Sequence, residues 1–255
     1  MSTSTSSASA SSPGGQMTLL EHLTELRKRL IISVLAIAVG MLIVTIFYNQ
    51  LFDWLLEPYR QAQGENAELL QTDPLEGFGV RLKVTGYGGI ALAMPVLLWQ
   101  VWRFIAPGLY DNEKRYAIPF VGSALVLFAT GAGIAYWTMP KALDFLGSIG
   151  GNDLQQFYSP SKYFQLITYM MLAFGAGFEF PILLVFLQLA GIVETDQLRG
   201  FRRYAIVLIT VLVAVLTPSG DPYSMLALSV PMVIFYEIAI LIGRWAGRRA
   251  ARNAT

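Results

Sequence analysis

The chain has 255 residues, 55% of them hydrophobic and only 14% charged, with 18 Lys and Arg against 17 Asp and Glu. Soluble domains carry about 25% charged residues, so this composition excludes an ordinary water-soluble globule and describes a polytopic membrane protein. The absence of cysteine excludes a disulfide framework or thiolate site, and a single histidine, His22, leaves His-based metal centres and histidine triads without ligands.

In chain order, residues 1–16 form a Ser/Ala/Gly-rich tail expected to be disordered. The tail lacks the basic start and apolar core of a signal peptide. Residues 17–243 carry six expected spans, at about 30–48, 78–105, 116–146, 163–192, 204–216 and 223–242, and 244–255 is a basic tail. The expected fold is therefore all-α, with six transmembrane helices. Between the first two spans, Leu51, Phe52, Leu55, Leu56 and Tyr59 recur at helical spacing, which predicts a short helix in the membrane interface. The last two spans are expected to be short. Residues 204–216 supply only 13 apolar-rich positions, about 20 Å of helix against a hydrocarbon core of roughly 30 Å. TPSGDP at 217–222 then turns the chain straight back.

Orientation follows from lysine and arginine. Thirteen of the 18 cluster on one side of the predicted spans, among them Arg27, Lys28, Arg29, Arg103, Arg202 and Arg244. The other side holds Arg60, Arg81, Lys83, Lys141 and Lys162 with nine acids, so both termini are expected to be cytoplasmic.

Two kinds of carboxylate stand out. Glu179 lies near the middle of the fourth span, where a charge costs about 2.5–3.5 kcal/mol on insertion scales. It must face the bundle interior or a water-filled cavity, or stay protonated. It serves either a polar path for protons or substrate, or a backbone loosened by Pro181. Glu237, near the end of the last span, is expected to pair with Arg244. Glu21 and Glu25 sit instead among cations in EHLTELRKRL (21–30). Thr18 and Glu21 form a capping box, and Leu19, Leu23, Leu26 and Leu30 share one face opposite Glu21, Glu25 and Lys28. This predicts a helix lying on the membrane surface, with a local Glu25–Arg29 pair at i, i+4. Glu113 repeats the pattern of an acid among cations in QVWRFIAPGLYDNEKRY (100–116).

Hydrolase, metalloprotease and phosphate-loop motifs are absent, and the one S-x-x-K match, Ser159 to Lys162, has no companion motif. Gly243 and Gly247 have the GxxxG spacing of a helix-packing motif, weakened by Arg244 between them. The chain is not expected to be an enzyme. The remaining alternative from residues alone is a proton-coupled secondary transporter using Glu179, though no inverted repeat relates the two halves.

Four segments together, HLTELRKRL, QVWRFIAPGLYDNEKR, FGAGFEFP and LTP followed by SVPMVIFYE, resemble the TatC family, the receptor subunit of the twin-arginine protein translocase. They occur in the family's order and cover nearly all the chain but its tails. The resemblance implies a receptor in the bacterial cytoplasmic membrane that binds twin-arginine signal peptides of folded cargo. Glu25 and Glu113 would grip guanidinium groups, with Phe104, Pro107, Leu109 and Tyr110 as an apolar wall. It also implies assembly with TatA- and TatB-type single-span subunits, placed at Leu216, Thr217, Ser224 and Met225, and with other copies of the chain in a multimeric complex. Transport would be driven by the proton-motive force, amid membrane lipids, with no cofactor, metal or nucleic acid. The chain departs from the family's pattern in the hairpin, where TPSGDP stands for a shorter TPPD and Met225 for a polar residue.

Overall fold

A computed structural model describes residues 19–64, 69–105, 117–149, 158–189, 191–217 and 220–253. Among the described residues there are eight helices and no strand. They are α1 (Leu19–Ile46), α2 (Tyr48–Gln63), α3 (Glu76–Ile105), α4 (Ala117–Ile149), α5 (Pro160–Phe178), α6 (Phe180–Leu189), α7 (Thr195–Leu216) and α8 (Pro222–Asn253). Five stretches are long and apolar enough to cross a bilayer: His22–Ile46, Glu76–Phe104, Ile118–Ile149, Pro160–Gln188 and Pro222–Trp245. α7 makes the sixth. Its first half carries Asp196, Arg199, Arg202 and Arg203, so only the 13 residues from 204 onward are apolar enough for lipid. Both hairpin helices extend beyond the apolar runs that mark them in the sequence. A helix continues wherever its backbone bonds are satisfied, in water as well as in lipid.

α1 runs antiparallel to α3, which brings His22 against Phe104 at one end and Tyr48 under the Arg81 guanidinium at the other. At their crossing Gly40 faces Gly89, and a Cβ on Gly40 would lie 2.5 Å from the Gly89 carbonyl oxygen. Only a pair of glycines permits so close a seam. α4 and α5 pack closely as well, with Gly131 against the Phe174 backbone. Phe164, Ile167, Met170, Phe174 and Phe178 of α5 are all fully buried, as are Leu228 and Met232 of α8. α5 is thus the central post of the bundle.

α2 forms where expected, but its apolar stripe seats on protein rather than lying free at the interface. Phe52 stacks on Phe164 with 4.5 Å between ring centroids, and Trp54 stacks on Tyr136 at 4.3 Å. The Tyr163 hydroxyl donates to the Leu55 carbonyl at 2.5 Å. The α1 expectation also changes. The leucine-striped segment and the first span are one unbroken helix of 28 residues, about 42 Å long at 1.5 Å per residue. No break separates a surface helix from the span, because no glycine or proline stands between Leu19 and Val39 to make one.

The fourth span, expected to be continuous, is interrupted at Glu179. Pro181 has no N–H to donate to Gly177. The chain tightens for one residue, with the Glu179 N–H bonded to the Ala176 carbonyl at 3.1 Å, before α6 resumes. Gln188 then ties α6 to the last pair of helices. Its amide donates to the Ala239 carbonyl at 3.0 Å, and its oxygen accepts from Thr195 at 3.1 Å. Gly243 leaves room for this, since a Cβ there would lie 1.8 Å from the Gln188 oxygen. That glycine of the GxxxG pair therefore serves packing. Glu237 pairs with Arg202 of α7 at 2.5 Å, not with Arg244. The antiparallel hairpin brings Arg202 level with Glu237, whereas Arg244 lies two turns further along the same helix.

Candidate functional site

The end of the bundle that gathers most of the described cations holds a groove of about 680 Å³. Leu20, Thr24, Glu25, Lys28, Arg29 and Ile32 of α1 line one wall, and Gln100 and Arg103 of α3 line the other. Periodicity explains the set, since 24, 25, 28, 29 and 32 fall on one helical face. The opposite face carries Leu23, Leu26 and Leu30, all exposed. Glu25 thus turns toward α3 and not toward open water. Its Oε1 accepts from Arg29, and the two side chains are 20% and 12% exposed. Glu25 Oε2 and Arg29 Nε are buried with no hydrogen-bond partner among the described residues. Behind the groove, the His22 ring stacks on Phe104 with centroids 4.5 Å apart.

Glu25 and Phe104 therefore sit at the same end of the α1–α3 pair. Glu113, Pro107, Leu109 and Tyr110 lie outside the described residues, as do Thr18 and the side chains of Leu19 and Glu21. Gln100 and Arg103 were missed as groove residues when the sequence was read alone. Nothing in their spacing marks them until α1 is laid antiparallel to α3.

Glu179 lies elsewhere, at the α5–α6 break. It faces a cavity of about 470 Å³ lined by apolar side chains, including Trp102, Phe120, Phe186, Leu212, Leu216 and Met232. Its Oε1 has no hydrogen-bond partner among the described residues. Among the described residues lining this cavity, Glu179 is the only ionisable group.

At the α7–α8 turn, Thr217 and Ser224 are buried. The Thr217 hydroxyl donates to the Val213 carbonyl at 2.8 Å, and the buried Asp221 carboxylate accepts from the Ser224 N–H at 2.6 Å. These groups shape the turn. Leu216 and Met225 keep part of their surface, and Ile206, Val207, Leu208, Val211 and Val215 leave one face of α7 exposed.

The S-x-x-K match is structural. Ser159 donates to Glu76, and Ser161 accepts from Lys83 Nζ at 2.7 Å, so the two serines join the starts of α3 and α5.

A bundle of apolar helices, one of them interrupted at a buried acid, with a charged groove at its basic end, defines a multi-pass α-helical membrane protein without a catalytic constellation among its described residues. A family model described as Sec-independent protein translocase protein (TatC) matches residues 21–231, and the chain belongs to that family. It is 42% identical over 249 residues to the Sec-independent protein translocase protein TatC of Frankia casuarinae, covering 93% of this chain and 68% of that protein. It is 39% identical over 236 residues to the TatC of Aquifex aeolicus, covering 91% and 97%. A solved crystal structure of the twin-arginine translocase receptor TatC superposes with a TM-score of 0.75 at 37% identity, covering 89% of this chain and all of that one. The chain is therefore a component of the Sec-independent translocase and not an enzyme.

Proposed function

We propose that this chain is the translocase subunit that captures twin-arginine signal peptides at its basic end, with both termini in the cytoplasm. The observation that carries this reading is Glu25. It is a largely buried carboxylate in a groove otherwise rimmed by Lys28, Arg29 and Arg103. A carboxylate and a guanidinium can form two parallel hydrogen bonds, which an ammonium cannot match. An exposed ion pair is worth only about 0–1 kcal/mol, so selective capture needs desolvation and several contacts together. The groove supplies the first, and Glu113 with Phe104, Pro107, Leu109 and Tyr110 would supply the second. The surrounding cations discourage indiscriminate basic peptides.

The thirteen-to-five distribution of cations supports the cytoplasmic orientation. The exposed face of α7, continued by Leu216 and Met225, is the surface we assign to single-span partners of the TatA and TatB type. Thr217 and Ser224 serve that contact by holding the turn. Other copies of the chain and the bilayer lipids complete the assembly, and transport draws on the proton-motive force. The apolar lining at Glu179 gives no support to a proton-coupled solute transporter.

The deciding experiment replaces Glu25 and Glu113 together by alanine and measures photo-cross-linking to a twin-arginine peptide. The proposal expects cross-linking to fall at least about tenfold, as for loss of desolvated charge-assisted contacts, with the protein still inserted. Undiminished cross-linking would refute it. Glu179→Gln should leave that cross-linking within about twofold of the unmodified chain, a change under 0.5 kcal/mol.

A further inference from the structure

The groove carboxylate is already occupied by an arginine of its own helix. Arg29 donates to Glu25 Oε1 from one turn further along α1. The other oxygen, Oε2, is fully covered and has no partner among the described residues. Oε2 keeps its lone pairs but is covered, and Oε1 is held by Arg29, so a molecule arriving in the groove reaches neither oxygen without a displacement. An exposed i, i+4 pair would leave its carboxylate reachable from water, but this one is 20% exposed and its cation only 12%.

We infer that Arg29 is an internal competitor: its guanidinium stands in the place a ligand guanidinium takes, and a peptide binds only as Arg29 swings out. This rests on Glu25 being a peptide-binding carboxylate. The exchange is chemically matched, one charge-assisted pair for another, so Glu25 is never left as an uncompensated buried charge. Its consequence is quantitative. If only the fraction of molecules with Arg29 displaced can bind, the apparent Kd is the intrinsic value divided by that fraction. Every ligand pays the same factor, whether it carries two arginines or two lysines. Arg29 therefore sets the threshold of capture and leaves discrimination to the fork geometry at Glu25. A ligand with one weak basic contact stays below the threshold, and one with several contacts crosses it.

The test uses the full-length protein in lipid nanodiscs and the fluorescence anisotropy of a labelled twin-arginine peptide and its twin-lysine version. Arg29→Gln should tighten both peptides by about fivefold, the upper range for a partly exposed ion pair, with the ratio between them unchanged. Arg203→Gln removes the same charge from the same end of the molecule, at an exposed residue whose guanidinium lies over the Tyr204 ring. It should change binding by less than twofold. In a Glu25→Ala background, Arg29→Gln should do nothing. Arg29→Lys keeps the charge without the fork and should tighten binding by about twofold, which carries the test if the glutamine variant unfolds. Binding unchanged or weakened by both Arg29 variants overturns the inference, as does an equal gain from Arg203→Gln or a shifted ratio of the two peptides. If Glu25→Ala alone leaves binding intact, the assignment of Glu25 fails, and the inference falls with it.

Discussion

Glu76 and Glu25 are carboxylates at opposite ends of the α1–α3 pair, the first buried and the second 20% exposed, and their surroundings differ sharply. Glu76 accepts from the Ser159 hydroxyl and, at 3.0 Å each, from the backbone N–H groups of Ser161 and Thr72. Next to it, Lys83 Nζ donates to Ser161 Oγ at 2.7 Å and to Gln165 at 3.1 Å. Every partner comes from the scaffold, and together they fasten the start of α5 to the start of α3. Glu25 has one partner from its own helix and an oxygen with none among the described residues. A buried polar group left short of partners costs free energy, and a fold retains one where something else repays that cost. The difference is one of saturation: Glu76 is fully used in holding the fold, while Glu25, which we propose binds the peptide, is not.

Substitutions at the two ends should separate along that line. The largest effect is expected for Glu25→Ala with Glu113→Ala, a loss of at least about tenfold in twin-arginine peptide affinity, with the midpoint of thermal unfolding in detergent nearly unmoved. Glu76→Ala should do the reverse, lowering that midpoint by several degrees while each folded molecule binds peptide normally. A Glu76 variant that folds fully but cannot bind would break the comparison.

Tyr163→Phe sharpens it from the scaffold side. It leaves the Leu55 carbonyl without the hydroxyl that now bonds to it, at a cost of about 1–3 kcal/mol. Chemical denaturation should show that loss with no change in peptide affinity. The smallest effect belongs to Arg202→Ala. Its pair with Glu237 is 44% and 41% exposed, so the stability change should stay below about 1 kcal/mol by the same assay.

The spans and the Glu25–Arg29 pair were legible in the sequence because both are local. Apolar runs and i, i+4 spacing survive without tertiary contacts. The break at Glu179 was half legible, since Pro181 announces it without saying whether the helix bends or restarts. The α2 stripe was read correctly but given the wrong neighbour, because a stripe of Leu51, Phe52, Leu55 and Leu56 fits lipid and protein equally well. What the sequence could not show is pairing across long separations. Glu76 meets Ser159 more than 80 positions away, and Arg202 rather than Arg244 faces Glu237. Gln100 and Arg103 join Glu25 only because Gly40 and Gly89 let α1 and α3 close on each other. Thr217 is implied as a partner contact only by the family resemblance; its burial and its bond to Val213, which hold the turn, needed the tertiary structure to be seen.

The most direct measurement is site-specific photo-cross-linking from positions 24 and 100, which line the groove and leave Glu25 and Glu113 in place, in membrane vesicles, to a signal peptide with paired arginines and to the same peptide with paired lysines. The account predicts strong adducts from both positions with the arginine peptide and at least about tenfold weaker ones with the lysine peptide. Equal yields with the two peptides, or none from position 24 while export continues, would contradict it.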